Sequence, residues 1–259
     1  MTSRSAGRAP SEGGGERSAR VGIVCEPDHP VLSSVAASLR AEGCEVVFFE
    51  PGAEIDEASL RSLSLLVNKK TRPASIRALR RAERLGVPTW NGPTPTILFA
   101  SRLVALSALE AVGFVTPPLR FERPPEPYVA KRLFGWEGPP ELNGEGDFYQ
   151  DLLPTDGTDR KYYAVDAGRD CHVAVVLVSS KLFGEKRYLG TAASRPEVER
   201  RIRRLMDITG ARSLGVDLIR SRGGRVAVDV NVSPSFRHAG LEGPLADSIR
   251  DCLAEAAGK

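Results

Sequence analysis

Short apolar runs alternate with helical patterns throughout residues 20–92, and this alternation constrains the fold more than any other feature. The apolar runs cover residues 20–24, 45–49 and 63–67, and an amphipathic segment at residues 31–42 separates the first two. Strands joined through helices form parallel sheets, because a helical crossover returns the chain to the same edge. The sequence therefore predicts a small α/β domain here. It lacks a GxGxxG fingerprint, so a dinucleotide is not implied.

The remainder of the chain divides into a tail and a second domain. Residues 1–19 are rich in Gly, Ser and Arg and are expected to form a disordered tail. An apolar helix is predicted at residues 96–112, and a cluster of prolines at residues 117–127 follows it. Strand patterns predominate beyond the prolines, which predicts a second, mixed domain over residues 93–259.

Composition excludes several classes of protein. The net charge of +3 over 259 residues is too small to indicate nucleic-acid binding. The densest Arg cluster, residues 200–204, belongs to an amphipathic helical pattern, so a solvated face explains it better than a phosphate-binding patch. No apolar run approaches the roughly 20 residues of a membrane span, and no secretory signal is evident, so a cytoplasmic protein is expected. The four cysteines form no CxxC pair, which argues against a zinc site.

Two apolar runs near the C-terminus, residues 215–219 and 226–234, flank a turn of Ser, Arg and Gly and predict a β-hairpin. Period-2 alternation places Asp229 and Asn231 on one face of the second strand, and Asp217 on the first strand can converge with them. Carboxylate and amide oxygens are the ligands that Mg²⁺ prefers. A solvated sheet face is the alternative that the hairpin alone leaves open.

Two lysines lie at the ends of predicted strands. Lys131 ends an apolar run and precedes a loop that contains Gly135 and Gly138. An ammonium beside glycine backbone N–H groups can clamp a phosphate, although a surface lysine before a flexible loop produces the same pattern. The loop is not a GxxxxGK[ST] P-loop. Lys161 begins another alternating strand, and by itself it is weak support for any site.

The order of these signals resembles the ATP-grasp superfamily. A lysine strand and glycine loop come first, then a Gln-Asp linker, a second lysine strand, Gly-Val-Asp and Asp-Val-Asn-x-Ser-Pro. The resemblance covers residues 20 to about 250 and extends to the RimK-like and LysX-like carboxylate–amine ligases, with a local resemblance to the inositol trisphosphate kinase branch. It implies an α/β (α+β) protein, with a Rossmann-like pre-ATP-grasp domain over residues 20–92 and an ATP-grasp domain over residues 93–259.

The resemblance also implies three groups of site residues. The group that would hold Mg²⁺, with Mn²⁺ as an alternative, is Asp217, Asp229 and Asn231. The group that would bind ATP is Arg102, Lys131, Gly135, Gly138, Gln150, Asp151, Leu152 and Leu153. The catalytic group is Lys161, which would neutralise the transferring phosphoryl group, and Arg237, which would bind an anionic acceptor. A solvated loop arginine is the alternative for Arg237, and His238 beside it is expected to be structural.

Two departures from the resembled pattern affect the phosphate end of the site. Many relatives have Asp-Lys where this chain has Ser101 and Arg102, so Arg102 would supply the first phosphate contact. The interval between Lys131 and Gln150 is too short for the helix and strand of typical relatives, so the lid, at about residues 127–155, is predicted to be short. A short lid leaves the γ-phosphate more open to water.

Three functions are compatible with these residues. The leading one is an ADP-forming ligase that phosphorylates a small-molecule carboxylate for attack by an amine. A kinase acting on a polyol or sugar-phosphate hydroxyl is the second, and a degenerate ATP-grasp protein that binds nucleotide without turnover is the third. The expected partner is a small-molecule acceptor rather than nucleic acid or membrane. The resembled group is often dimeric or tetrameric, so a homo-oligomer is a further expectation.

Overall fold

The protein is described by a computed structural model over residues 18–258. The predicted disordered tail, residues 1–19, lies almost wholly outside the described residues. The helices are α1 (Pro30–Ala41), α2 (Glu57–Arg61), α3 (Pro73–Arg84), α4 (Pro93–Ala100), α5 (Arg102–Ala111), α6 (Pro196–Thr209) and α7 (Glu242–Ala257). No helix within this part of the chain is both long and apolar enough to cross a bilayer.

The strands form three sheets. The first contains β1 (Arg20–Val24), β2 (Glu45–Phe49), β3 (Leu65–Asn68) and β4 (Thr89–Trp90). The second contains β9 (Thr158–Ala167), β10 (Asp170–Ser179), β11 (Tyr188–Ala192), β12 (Ser213–Ser221) and β13 (Gly224–Asn231). The third contains β5 (Leu119–Arg120), β6 (Tyr128–Lys131), β7 (Glu141–Leu142) and β8 (Phe148–Asp151).

The first sheet is parallel throughout, in the order β2-β1-β3-β4. Its two central strands, β1 and β3, are buried because helices cover both faces, which is the usual arrangement of parallel sheets. Leu32 and Leu39 of α1 pack on one face, and Leu60 of α2 and Leu79 of α3 pack on the other. The α7 helix returns to this sheet and packs against α1, β3 and β4. The parallel α/β unit predicted from the alternation is therefore present.

The second sheet is antiparallel, in the order β11-β10-β9-β12-β13, and carries the site at one end. The face that bears Tyr163 and Val165 of β9 packs against α7 and the first sheet in one continuous core. The opposite face, with Tyr162 and Ala164, packs against α5 and α6. The strand β9 is longer than the part that α7 covers, so the start of the strand, around Lys161, faces the third sheet.

The third sheet is a small antiparallel lid in the order β5-β8-β6-β7. Between β6 and β8, the described chain contains only β7 and a short 3-10 turn at Gly135–Glu137. The return loop lies close to β6, because a Cβ at Gly146 would lie 2.7 Å from the backbone nitrogen of Lys131. The loop therefore requires glycine at this position.

The single apolar helix predicted at residues 96–112 is wrong, because the structure contains two helices there. Ser101, between α4 and α5, is extended and forms a β-bridge with Phe134. The backbone N–H of Arg102 donates to the Leu133 carbonyl at 2.8 Å. A long-range pairing thus replaces the helical hydrogen bonds at the junction, and helical periodicity on both sides concealed the break.

Candidate active site

Lys161, Asp217 and Asp229 form a row across three adjacent strands of the second sheet. Asp217 of β12 lies opposite Lys161 of β9 on one side and opposite Asp229 of β13 on the other. Directly opposed residues have Cβ atoms roughly 5 Å apart. The Lys161 ammonium donates to Asp217 Oδ2. The convergence of Asp217 and Asp229 that the hairpin pattern indicated is present, with Lys161 beside them.

A β-bulge at Val228 connects this row to the lid. The pairing of β12 and β13 shifts between Asp217 and Leu218, so that Val228 is an extra residue in β13. Bulges change the direction of side chains and release backbone groups from the ladder. The Lys131 ammonium, at the end of lid strand β6, donates to the Val228 carbonyl at 2.7 Å. The lysine predicted to clamp a phosphate therefore lies directly over the carboxylate row.

Asn231 ends the hairpin beside the row. It lies opposite Gly215, and its Oδ1 accepts a hydrogen bond from the Ser233 backbone N–H at 2.8 Å. A Cβ at Gly215 would lie 2.9 Å from the Pro234 Cβ. Gly215 thus allows the chain after Asn231 to fold back over β12.

Burial and neighbouring charges alter the ionisation of the row. Burial lowers the pKa of Lys131 to about 8, against the attraction of Asp229. Burial raises the pKa of the Asp229 carboxyl, Lys131 opposes this shift, and the Asp217 charge adds to it. Burial opposes charge on Lys161, but Asp217 outweighs it and raises the pKa of that ammonium. The two carboxylates and two ammonium groups therefore form one coupled electrostatic unit.

A cavity of about 260 Å³ lies between the lid and the second sheet, with different chemistry at its two ends. One end carries the charged row and Lys131. The other end is apolar and lies beside the linker between β8 and β9. Its lining includes Pro117, Val129, Leu152, Leu182, Phe183 and Ile219. An apolar slot beside a cluster of charges matches a ligand with a flat apolar ring and an anionic tail.

The predicted linker residues Gln150, Asp151, Leu152 and Leu153 all line the cavity. Gln150 is buried, and its Nε2 donates to the Pro117 carbonyl at 3.3 Å. Asp151 accepts two hydrogen bonds from Arg120, at 2.8 and 3.2 Å. The backbone of the linker lines the cavity, where its polar groups can meet the edge of a nucleotide base. The Asp151 carboxylate is instead hydrogen-bonded to Arg120.

The other predicted residues do not reach the cavity lining in the part of the chain that the structure describes. The Arg102 guanidinium donates to the carbonyls of Arg132 and Gly138, at 3.1 and 2.9 Å. Arg102 therefore fixes both sides of the glycine loop through backbone carbonyls. Gly135 lies in the 3-10 turn, and Arg237 is exposed on the loop after β13. Their proposed contacts with phosphate and acceptor remain predictions.

Many cavity residues were missed at the sequence level, and Asp159, Ile219 and Lys186 are instructive examples. Asp159 lies two residues before Lys161, and Ile219 lies two residues after Asp217, so period-2 alternation could have placed both on the site face. Lys186 lies just before β11, where burial, followed by the charge of Lys161, lowers its pKa. No local pattern marks Lys186, because it reaches the cavity through the pairing of β10 with β11.

The residues present fit a hard divalent cation. Two carboxylates directly opposite one another are unfavourable unless a cation lies between or beside them, and here two ammonium groups lie beside them. Asp217, Asp229 and the Asn231 amide offer oxygen ligands of the type that Mg²⁺ takes. Within residues 18–258 there is no group of three or more His, Cys, Asp and Glu side chains suited to a metal. That the Asn231 amide supplies a third protein oxygen remains a prediction.

Several solved structures share this architecture. The chain is 18% identical to the ATP-grasp ligase PsnB complexed with a phosphomimetic variant of its minimal precursor, Mg and ADP, with a TM-score of 0.64 over 93% of this chain and 99% of that one. A RimK domain ATP-grasp protein from Sphaerobacter thermophilus gives 0.66 at 18% identity, over 90% and 100%. N5-carboxyaminoimidazole synthetase from Staphylococcus aureus gives 0.68 at 12% identity, over 91% and 77%.

Sequence comparison adds no relative. No protein-family model matches the chain, and no curated protein matches it either. The structural neighbours named above are ATP-grasp proteins, and none of the three is an inositol phosphate kinase, so the local resemblance to that branch is not supported. Together with the three sheets and the lid, these likenesses show that the chain has the ATP-grasp fold.

Proposed function

We propose that this protein is an ADP-forming ligase that uses Mg-ATP to activate a carboxylate for attack by an amine. The observation that carries the proposal is the cavity whose charged end holds the Lys161–Asp217–Asp229 row and whose apolar end meets the Gln150 linker. This asymmetry matches ATP, with its base at one end and its phosphates at the other. The fold shared with PsnB and the S. aureus synthetase supports the same assignment.

Each group of residues has a role that follows from its position. The linker at Gln150 would receive the adenine edge, and Lys131 would lie over the phosphates from the lid. Asp217, Asp229 and Asn231 would hold Mg²⁺, which supplies charge neutralisation between phosphate oxygens when bound. The Lys161 ammonium lies beside this position, where it can stabilise negative charge on the phosphoryl group during transfer.

The reaction balances without a further reactant. A carboxylate oxygen attacks the γ-phosphorus, the bond to the β-phosphate oxygen breaks, and ADP leaves. The amine then attacks the acyl carbon, phosphate departs and the amine loses a proton to solvent. The acceptor is proposed to be a small acid, and a carboxylate on a peptide is the second candidate because PsnB was solved with its precursor.

The test is Mg²⁺-dependent release of ADP across a panel of small acids and acidic peptides, with hydroxylamine as the amine. A hydroxamate formed together with ADP supports the ligase. ADP released with polyol phosphates, and without any carboxylate, identifies a kinase. Tight binding of Mg-ATP with no ADP from any acceptor identifies the degenerate, non-catalytic protein.

A further inference from the structure

A lysine from the first sheet is buried against the end of the β12–β13 hairpin. Lys69 follows β3 and is 8% exposed, and its ammonium donates to the Ser233 carbonyl. No carboxylate of residues 18–258 lies within 4 Å of this ammonium. Burial without a directly paired carboxylate is costly for a lysine, and the more distant charge of Glu26 offsets only part of that cost. It is expected at a position where a ligand supplies the missing negative charge.

The loop after Ser233 carries Arg237, whose positive charge acts on His29 together with that of Lys69. Phe236 and His238, on either side of Arg237, have φ angles of 55° and 63°, a conformation unfavourable for residues with large side chains. Phe236 is 1% exposed and packs in the core that contains the first turn of α1, and His238 stacks on Tyr188 with ring centroids 4.3 Å apart. These two anchors hold the loop in a strained conformation, which is typical of binding sites.

The Arg237 side chain itself has no partner in the described part of the chain. It forms neither a hydrogen bond nor an ion pair with any of residues 18–258. Its guanidinium is therefore available to an external anion, for which Arg is suited by its planar pair of donors.

His29 supplies a third donor at the start of α1. Its Nδ1 accepts a hydrogen bond from the Leu32 backbone N–H at 3.3 Å, so the ring proton of the neutral imidazole is on Nε2. Burial, followed by the positive charges of Lys69 and Arg237, holds the pKa of His29 below its usual value. The imidazole is close to both cations, and its Nε2–H adds a donor at the N-terminal end of a helix.

The neighbouring Lys70 differs from Lys69 in its pairing and exposure. Its ammonium lies 2.8 Å from the Glu26 carboxylate, so its charge is satisfied within the protein. Two consecutive lysines thus differ: Lys70 is paired and partly exposed, whereas Lys69 is buried and lacks a carboxylate partner.

The cluster of Lys69, Arg237 and His29, here called the cationic cluster, is connected through Ser233 to the end of the β12–β13 hairpin. Ser233, which contacts Lys69, also donates its backbone N–H to Asn231, the last residue of the predicted metal group. The Ser233 hydroxyl is buried and has no hydrogen-bond partner among the described residues. The cluster therefore lies beside the Asn231 end of the hairpin, next to the predicted metal group.

We propose that the cationic cluster binds a second carboxylate of the acceptor, so that the preferred acceptor is a diacid that reacts through its other carboxylate. The inference rests on the proposed function for the identity of the reacting end, but the anion site is defined by this chain's own residues. The second carboxylate can belong to a free diacid or to a neighbouring acidic side chain of a peptide, and both present the same chemistry to the cluster.

The experiment measures binding to the full chain saturated with Mg-ADP, by calorimetric titration of three probes. The probes are glutarate, butyrate and an acetylated, amidated tetraglutamate peptide. We expect glutarate or the peptide to bind at least about tenfold more tightly than butyrate, because a charge-assisted contact is lost in the monoacid. A preference for glutarate identifies a small diacid, and a preference for the peptide alone identifies an acidic peptide.

Two variants and one control locate the effect. Lys69→Met and Arg237→Gln should each remove the preference over butyrate, while Lys70→Met should retain it because that ammonium is paired with Glu26. Arg237 is exposed, so its variant tests the site even where Lys69→Met alters folding. Equal affinity for all three probes, or an unchanged preference in Arg237→Gln, would overturn the inference. Absence of ADP release with every acid would instead count against the ligase assignment and leave this binding result intact.

Discussion

The two ends of the β12–β13 hairpin differ in whether the protein's own carboxylates balance the positive charges there. In the row at Asp217 and Asp229, the Lys161 ammonium already has a carboxylate partner, and the charges of Asp229 and Asp217 both attract the Lys131 ammonium. In the cationic cluster beyond Asn231, Lys69 and Arg237 have no carboxylate partner within residues 18–258. A self-neutralised row can exchange its internal partners for phosphate and metal. A cluster with excess positive charge requires an anion from outside the protein.

The largest expected effect is at Asp229, which tests whether the row serves a metal. Asp229→Asn should weaken the Mg²⁺-dependent part of ADP affinity by about a hundredfold or more, because a metal ligand loses its charge. The fold should persist, since the substitution also relieves the opposition of two like charges. Fluorescence titration of labelled ADP, with and without Mg²⁺, measures the effect, and thermal unfolding monitors the fold.

Asp170→Asn is the matched control for this prediction. Asp170 lies at the exposed start of β10, away from the row, so the same chemical change should leave nucleotide affinity unaltered. An Asp229→Asn protein that keeps the full Mg²⁺ dependence would exclude Asp229 as a ligand. The row would then be a structural ion network.

A smaller effect is expected at Lys131, which joins the lid to the row. Lys131→Met keeps the buried aliphatic stem but removes the ammonium, and should weaken ATP binding about tenfold to a hundredfold by loss of a charge-assisted contact. Arg132→Met is the control, because Arg132 is the next residue and its side chain lies by Asp147, at 3.6 Å. If both variants bind ATP as the unmodified protein does, the lid lysine does not contact phosphate.

The two ends of the hairpin also differ in how far the sequence could predict them. The row was accessible because period-2 alternation fixes which residues share a face, and this rule alone groups Asp229 with Asn231. The bulge at Val228 was not accessible, since a single extra residue in a ladder leaves no compositional signal. The parallel first sheet was likewise predictable from its strand–helix alternation.

The cationic cluster could not be predicted, because its members lie far apart in the chain. Lys69 follows a strand of the first sheet, and Ser233 and Arg237 follow the last strand of the second. The α7 helix packs against both the first sheet and β9, and so helps to bring these segments together. The break at Ser101 was missed for the same reason, since its cause is a bridge to Phe134 in the lid loop.

The smallest expected effect is on the free energy of unfolding, and it tests the unbalanced charge at the Lys69 end of the hairpin. Burial lowers the pKa of Lys69 from 10.5 to about 8. Between these pH values the unfolded chain binds more protons at this position than the folded protein, so the free energy of unfolding rises with pH. Lys69→Met should therefore stabilise the protein at pH 7 by roughly 1–3 kcal/mol, and the gain should shrink as the pH approaches 10.5.

Measuring the free energy of unfolding for both proteins at each pH reports chiefly on Lys69. Distant titrating groups, Lys131 included, contribute equally to both proteins, whereas His29 and Cys25 also respond to the loss of the Lys69 charge. The charged and titratable groups that act on Lys69 are Cys25, Glu26 and Lys70, and Lys69 in turn acts on His29. The pKa of Cys25 is raised to about 11, chiefly by burial, and that of Glu26 is lowered to about 2, chiefly by Lys70. In the folded protein, neither Cys25 nor Glu26 changes charge over most of the range between pH 8 and pH 10.5.

A Lys69→Met protein that is less stable than the unmodified protein at pH 7 would mean that Lys69 has a structural anionic partner. The same conclusion would follow if the difference in stability between the two proteins did not vary with pH. Stabilisation combined with loss of diacid binding would instead show that this lysine is retained for its ligand at a cost to the fold.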